Sequence, residues 1–241
     1  MVTKTKPKSK TAKKPVRPVR KTAVAARKGK TAVKTKPAKP VKRPVKAAPK
    51  PKALGVEQQI ADLEMRLLEE KKTLAALRKK LKPVEVPDYV FKKHDSSEIK
   101  LSEMFGSSKD LIMVHNMGKG CPYCTLWADG FTGFTKHLEN RAAFVVISKD
   151  PFDIQRDFYN SREWNFKMYS SHGTTFNRDI GFETVDGGQM PGVSAFYKDE
   201  SGRIFRTAFT FFGPGDDFCA VWPMLNLLKD GPDGWQPKYF Y

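Results

Sequence analysis

The stretch L-I-M-V-H-N-M-G-K-G-C-P-Y-C, residues 111–124, decides how this chain is read. Its first half, Leu111 to His115, is a short apolar run suited to a buried strand. Its second half passes through Gly118-Lys119-Gly120 into Cys121-Pro122-Tyr123-Cys124, and Pro122 is a residue favoured in the first turn of a helix. The tetrad therefore sits where a strand hands over to a helix. Free amides and the helix dipole at that point favour thiolate over thiol, which brings a cysteine pKa from about 8.5 toward 7 or below. Cys121, at the helix end, is the expected nucleophile. Cys124, one turn further in on the same face, is placed to attack the mixed disulfide that Cys121 forms. Lys119 either adds positive potential or is simply solvated.

C-x-x-C is also half of a zinc site, and a complete one needs two further ligands. The sequence offers no second C-x-x-C and no histidine pair at ligand spacing. The third cysteine, Cys219, stands alone in an apolar segment and reads as a buried, inert thiol. Dithiol chemistry with no metal and no cofactor is the expectation; a purely structural cysteine pair is the bland alternative.

Outward from the tetrad, strand-like and helix-like segments alternate. Residues 122–138 are helix-rich with an interruption at Asp129-Gly130, and 142–148 form a second buried strand. Pro151 opens a helix to about Arg162, 166–170 read as a strand, and 176–181 as a short helix closed by glycine. Residues 193–197 and 204–210 make a hairpin through Asp199-Glu200-Ser201-Gly202, and a last helix spans roughly 217–229. This order predicts an α/β domain with a mixed sheet and flanking helices over residues 83–241. Trp127 and Phe131 fall on the inner face of the redox helix as core. His115, six residues before Cys121, is a candidate for proton exchange with Cys124, or else a satisfied core histidine. Asp129 is a candidate proton acceptor, or else the cap of a helix restart before Phe131.

Met190-Pro191-Gly192 stands directly before the strand at Val193. A trans-proline at a strand's first position is the unremarkable reading. Together with the upstream C-x-x-C, the placement resembles the thioredoxin superfamily. That resemblance implies a thioredoxin-like mixed sheet in which a cis peptide at Pro191 lies beside Cys121 and leaves Met190 free to pair with an extended substrate. Pro122, Tyr123, Met190 and Pro191 are accordingly the candidate substrate-contacting residues. A narrower resemblance rests on Asp88-Tyr89-Val90-Phe91, on G-C-P-Y-C-T-L-W-A-D-G-F-T-G at 120–133, and on His137-Leu138, Tyr169-Ser170-Ser171, Phe176-Asn177 and Pro191-Gly192. In combination these are similar to a bacterial thioredoxin-like family of predicted dithiol-disulfide oxidoreductases, a domain of unknown function, from the helix at Val56 to about Phe212. The tetrad also matches dithiol glutaredoxins, but the Gly-Gly-Asp that would follow the Pro191 strand is missing.

The first 52 residues hold 20 Lys and Arg, 8 Pro and no Asp or Glu, and the first aromatic residue of the chain is Tyr89. The formal charge of +18 therefore belongs to this tail, and the remainder carries 24 basic against 26 acidic residues. With almost nothing to bury, residues 1–54 are expected to be disordered. Their Lys/Ala/Pro mixture resembles linker-histone tails and implies non-specific, salt-sensitive contact with nucleic-acid backbone. An anionic membrane surface, a transit peptide and a plain solubility role are the lesser alternatives. Between tail and domain, over residues 55–82, Val56, Ile60, Leu63, Leu67, Leu74, Leu77 and Leu81 follow spacings of three and four, broken only by Glu70. That pattern predicts an amphipathic helix, packed on its own domain or paired with a second copy as a coiled-coil homodimer.

No apolar run of signal-peptide or membrane-spanning length is present, and the cysteine usage suits a reducing compartment, so a cytoplasmic and nucleoid-associated protein is expected. The leading expectation is a thiol-disulfide oxidoreductase that acts on a protein or small-molecule disulfide with an unidentified thiol reductant. Two alternatives stand beside it: a nucleoid-associated binding protein whose folded domain is an interaction module, and a thiol peroxidase. Against the peroxidase, Gly118 occupies the position of the threonine in the Thr-x-x-Cys pattern of such enzymes.

Overall fold

The computed structural model describes residues 55–241; the tail, with the disorder, nucleic-acid contact and histone likeness expected of it, lies outside the described residues. The described part opens with α1 (Val56–Arg78), followed by β1 (Val84–Val86), β2 (Val90–Lys92), β3 (Glu98–Lys100), the single turn α2 (Leu101–Met104), β4 (Asp110–Asn116) and α3 (Pro122–Glu139). Then come β5 (Ala143–Ser148), α4 (Phe152–Ser161), β6 (Lys167–Ser170), α5 (Phe176–Asp179), β7 (Gly192–Lys198), β8 (Ile204–Phe211) and α6 (Val221–Leu225).

All eight strands join one sheet in the order β1-β8-β7-β4-β5-β6-β2-β3. β4, β5 and β6 are parallel, β7 pairs antiparallel with β4 and β8 antiparallel with β7, and the short outer strands pair antiparallel. The two crossovers α3 and α4 step along the sheet in the same direction, so their shared right-handedness puts both on one face. Period-two alternation then divides the central strands between two cores. Val114, Phe144 and Val146 meet α3 through Trp127, Ala128 and Phe131. Leu111, Met113, Val145 and Ile147 pack on the other face against Leu101, Phe105, Phe176 and Phe182. The result is the expected mixed sheet flanked by helices.

Three expectations are corrected and, third in order, one pair of alternatives is narrowed. First, α3 runs unbroken through Asp129-Gly130. Ala128 and Phe131 on either side are buried, and this packing offsets the roughly 1 kcal/mol that a mid-helix glycine costs. Second, the last helix is only Val221–Leu225: a helix from Asp217 would put Pro223 in its interior, whereas a start at Val221 keeps that proline in the first turn. Third, α1 buries none of its residues. Its seam is not packed on the domain, and an ion pair from Lys71 to Asp217 at 2.6 Å links the two. Fourth, there is no cis peptide among the described residues, so Pro191 is trans. The Met190 amide donates to the Phe182 carbonyl at 2.8 Å, and the Pro191 carbonyl accepts from the Phe212 amide at 2.9 Å. Extended trans backbone satisfies both bonds.

Gly192 shows how tightly this strand entry is packed. A Cβ there would lie 2.3 Å from the Thr210 carbonyl oxygen and 2.7 Å from the Phe182 ring. Gly192→Ala should cost about 1–3 kcal/mol through overpacking, read as a lower urea midpoint at unchanged slope.

Candidate active site

Strand β4 ends at Asn116, and everything that orients the cysteines is fastened to that point. The buried Asn116 side chain donates to the Cys124 carbonyl at 3.3 Å and accepts from the Gly118 amide at 2.8 Å, tying the strand end to the first turn of α3. Gly118 has φ +97, and a Cβ on it would sit 2.5 Å from the Asp150 carboxylate, so no other residue fits there without displacing the loop. Asp150, just beyond β5, accepts the Lys119 amide at 2.8 Å. The loop is thereby pinned from two strands.

Cys121 caps α3, with its Sγ accepting the Cys124 amide at 3.1 Å. The Cys124 thiol also donates to that sulfur, and the Tyr123 amide adds a further contribution. The thiol donation comes first among the causes, and the set outweighs the opposing effect of burial, lowering the Cys121 pKa to about 7. Cys124 moves the other way, far above its ordinary value. It holds its proton against Cys121, it is buried, and it faces the Cys121 thiolate, with the Met117 amide, 3.4 Å from its sulfur, offsetting only part of this. The pair is thus one thiolate at the helix start and one protonated partner, both buried, with the polarity that nucleophilic attack followed by resolution requires. Pro122 occupies the first helical position, and Tyr123 stacks on Trp222 at 6.0 Å between ring centroids, so it belongs to an aromatic wall beside the dithiol.

With this geometry in place the chain can be set against known proteins. Residues 56–239 match the family described as bacterial protein of unknown function DUF899. The chain belongs to this family. No curated protein matches it. Among solved structures, the peroxidoxin BcpB of Mycobacterium tuberculosis is 21% identical, with a TM-score of 0.43 over 51% of this chain and 80% of that one. A peroxiredoxin-like protein from Aquifex aeolicus is 16% identical, with a TM-score of 0.43 over 54% and 74%. Reduced Prx3 of Vibrio vulnificus, solved in complex with H2O2, is 13% identical, with a TM-score of 0.45 over 55% and 88%.

The remaining expected site residues of this DUF899 chain are distributed differently. His115 points away from the cysteines, into the opposite core, as its position one residue after Val114 dictates. Its Nε2 lies 2.9 Å from Ser194 Oγ, and its ring stacks on Phe182 at 3.7 Å. Burial, assisted by Arg206, lowers its pKa to about 3, so it is a neutral core histidine and no proton carrier for Cys124. Asp129 is equally committed. Its carboxylate is clamped by the Arg162 guanidinium and accepts the Trp164 indole at 2.8 Å. Met190 packs against the same core as His115, and its amide is already bonded to Phe182. Pro191 follows the β4–β7 register to a position opposite Asn116, at the cysteine end of the sheet. Cys219 is a buried thiol whose pKa burial raises; it precedes α6 rather than lying within it.

Sequence reasoning missed three contributors: Asn116, Asp150 and Tyr239. The Arg162 Nη1 donates to the Tyr239 carbonyl at 2.7 Å, which folds the C-terminal segment back beside the redox loop. Burial and then the charges of Cys121 and Cys124 raise the Tyr239 pKa, so its phenol stands within the electrostatic reach of both sulfurs. No signal near Tyr239 announces this, because the partners are far away in sequence.

Alkylation of Cys121 should follow a titration centred near pH 7, with Cys124 unreactive at neutral pH. Cys124→Ala should move the midpoint upward by removing the thiol donor, as read by iodoacetamide kinetics against pH. His115 yields a separate expectation. Between about pH 6.5 and 3 the unfolded chain binds a proton that the folded chain refuses, so stability should fall as pH drops through that window. His115→Leu should flatten this dependence in urea unfolding and leave the Cys121 titration where it is.

Proposed function

We propose that this chain is a thiol-disulfide oxidoreductase whose dithiol is Cys121 and Cys124. The observation that carries the reading is the convergence of the Cys124 amide and thiol on the Cys121 sulfur at the start of α3. The Cys121 thiolate attacks one sulfur of a substrate disulfide, forming a mixed disulfide and expelling the first thiolate. Cys124 then gives up its proton, toward the departing group or solvent, and its sulfur attacks Cys121. The Cys121–Cys124 disulfide forms and the second substrate thiolate leaves, so one disulfide is reduced as the dithiol is oxidised. A thiol or dithiol reductant closes the cycle.

The basic tail supports a second element of the proposal, retention on nucleic acid. Its 20 positive charges release counterions from a polyanion, and the absence of aromatic residues removes base stacking as a source of sequence preference. The exposed seam of α1 supports pairing with a second copy. Before its midpoint the helix carries Glu57, Asp62 and Glu64 against Arg66, and after it Lys71, Lys72 and Arg78 against Glu69 and Glu70, so antiparallel packing sets a net negative half beside a net positive one.

Cys124→Ser should accumulate Cys121 mixed disulfides that mass spectrometry identifies, while Cys121→Ser should be inert toward disulfides. A wild-type protein that reacts only with peroxide would replace this reading with a peroxidase. Binding of full-length protein to duplex DNA should weaken steeply between about 50 and 200 mM salt and be lost in a chain beginning at Gly55. Sedimentation should show a dimer that Leu67→Glu with Leu74→Glu converts to monomer; equal behaviour of all forms would remove tail and helix from the proposal.

A further inference from the structure

Beside the redox loop lies a recess of about 400 Å³, walled by Phe158, Arg162, Tyr239 and Phe240 and floored at one side by Lys119 and Gly120. Gly120 immediately precedes Cys121, so the recess lies one residue along the chain from the nucleophile, which does not itself line it. Phe158, Arg162 and Tyr239 are held by contacts of their own, whereas Phe240 is largely exposed. Arg162 spends its guanidinium on the Asp129 carboxylate and the Tyr239 carbonyl, and Asp129 is held in turn by the Trp164 indole. Phe158 meets the Trp164 ring edge-on at 5.5 Å and the Tyr239 ring at 6.2 Å.

These commitments decide what the recess presents. The Arg162 charge is neutralised by Asp129, and Asp150, the carboxylate nearest the loop, is bonded to the Lys119 amide and does not line the recess. What remains is aromatic surface and one cation, the Lys119 ammonium, which makes no ion pair among the described residues. The volume lies within the roughly 300–1,000 Å³ of small-molecule sites. A second aromatic wall pairs Tyr123 of the dithiol's own helix with Trp222 of α6.

We infer that this recess is the substrate site of the dithiol, and that it takes a low-molecular-weight disulfide with an apolar or aromatic body and a negative charge. The aromatic walls seat the body, Lys119 meets the charge, and the substrate sulfur is delivered to Cys121. The inference rests on the oxidoreductase reading above and adds to it a class of substrate.

The test is a single-turnover reaction of the pre-reduced full-length protein with four disulfides, needing no added reductant. These are 5,5′-dithiobis(2-nitrobenzoate), aromatic and anionic; 4,4′-dithiodipyridine, aromatic and neutral; hydroxyethyl disulfide, aliphatic and neutral; and cystamine, cationic. Each variant is compared with wild type probe by probe, which cancels the intrinsic reactivity of the probes. Lys119→Gln should slow the anionic probe by roughly three-fold relative to both neutral ones, the scale of one exposed ion pair. Tyr239→Ala and the conservative core variant Phe158→Leu should slow both aromatic probes by roughly two- to ten-fold relative to hydroxyethyl disulfide, the scale of one aromatic contact. Rates that shift by the same factor for all four probes, or not at all, would overturn the recess as substrate site while leaving the dithiol reading intact. A cystine peptide with flanking aromatic and acidic residues that outruns every small probe in wild type, and loses that advantage in Lys119→Gln, would overturn the small-molecule class. A wild type in which no probe oxidises Cys121 would overturn the oxidoreductase reading itself.

Discussion

The hydrogen bond from the Cys124 amide to the Cys121 sulfur exists only because the chain leaves β4 along one narrow path. Gly118 must take a left-handed conformation with no side chain, Asn116 must reach both sides of the loop, and Asp150 must hold it from the neighbouring strand. The demands fall on the ends of two neighbouring strands, β4 and β5, so the sheet register sets the sulfur geometry. A parallel β4–β5 pair brings Asn116 level with Ser148 and hence Asp150 beneath the loop. The chemistry of the dithiol is in this sense an output of the ladder.

Burial is used in two opposite ways a few residues apart. His115 and Cys121 are both taken out of water, yet one loses its charge and the other keeps it. The histidine has a single hydroxyl partner and aromatic rings around it, so desolvation wins. The cysteine sits at the open end of a helix with donors aimed at it, so the donors win. Alternation along β4 separates the two environments: adjacent side chains of a strand face opposite cores.

The central strands, α3 and α4, and the hairpin were legible because apolar runs or regular apolar spacing between glycine and proline signals have few other readings. The dithiol was legible for the same reason, as a motif wholly contained in one strand-to-helix junction. The outer strands β1, β2 and β3 were not, because three-residue strands with half their side chains in water owe their form to pairing rather than pattern. The interruption expected at Asp129-Gly130 failed on a tertiary fact: Asp129 is occupied by Arg162 and Trp164 and has no need to cap. The cis-proline failed because the trans backbone already closes two ladder-like bonds at Met190 and Pro191. His115 was legible as buried but not as facing away from the thiols, since that depends on which residue of the strand meets α3.

The Arg162 bridge carries a consequence for how the protein is made. It joins α3 and α4 to a carbonyl 77 residues further along, and closing so long a loop is slow compared with forming the helices themselves. During synthesis the dithiol and its helix therefore emerge well before the Tyr239 wall reaches them. A nascent chain carries a reactive sulfur with half its surroundings missing, and meets cellular thiols and oxidants in that state. The C-terminal segment docks last, so the nascent and the finished chain share a pair of cysteines but not the aromatic surroundings that Tyr239 completes.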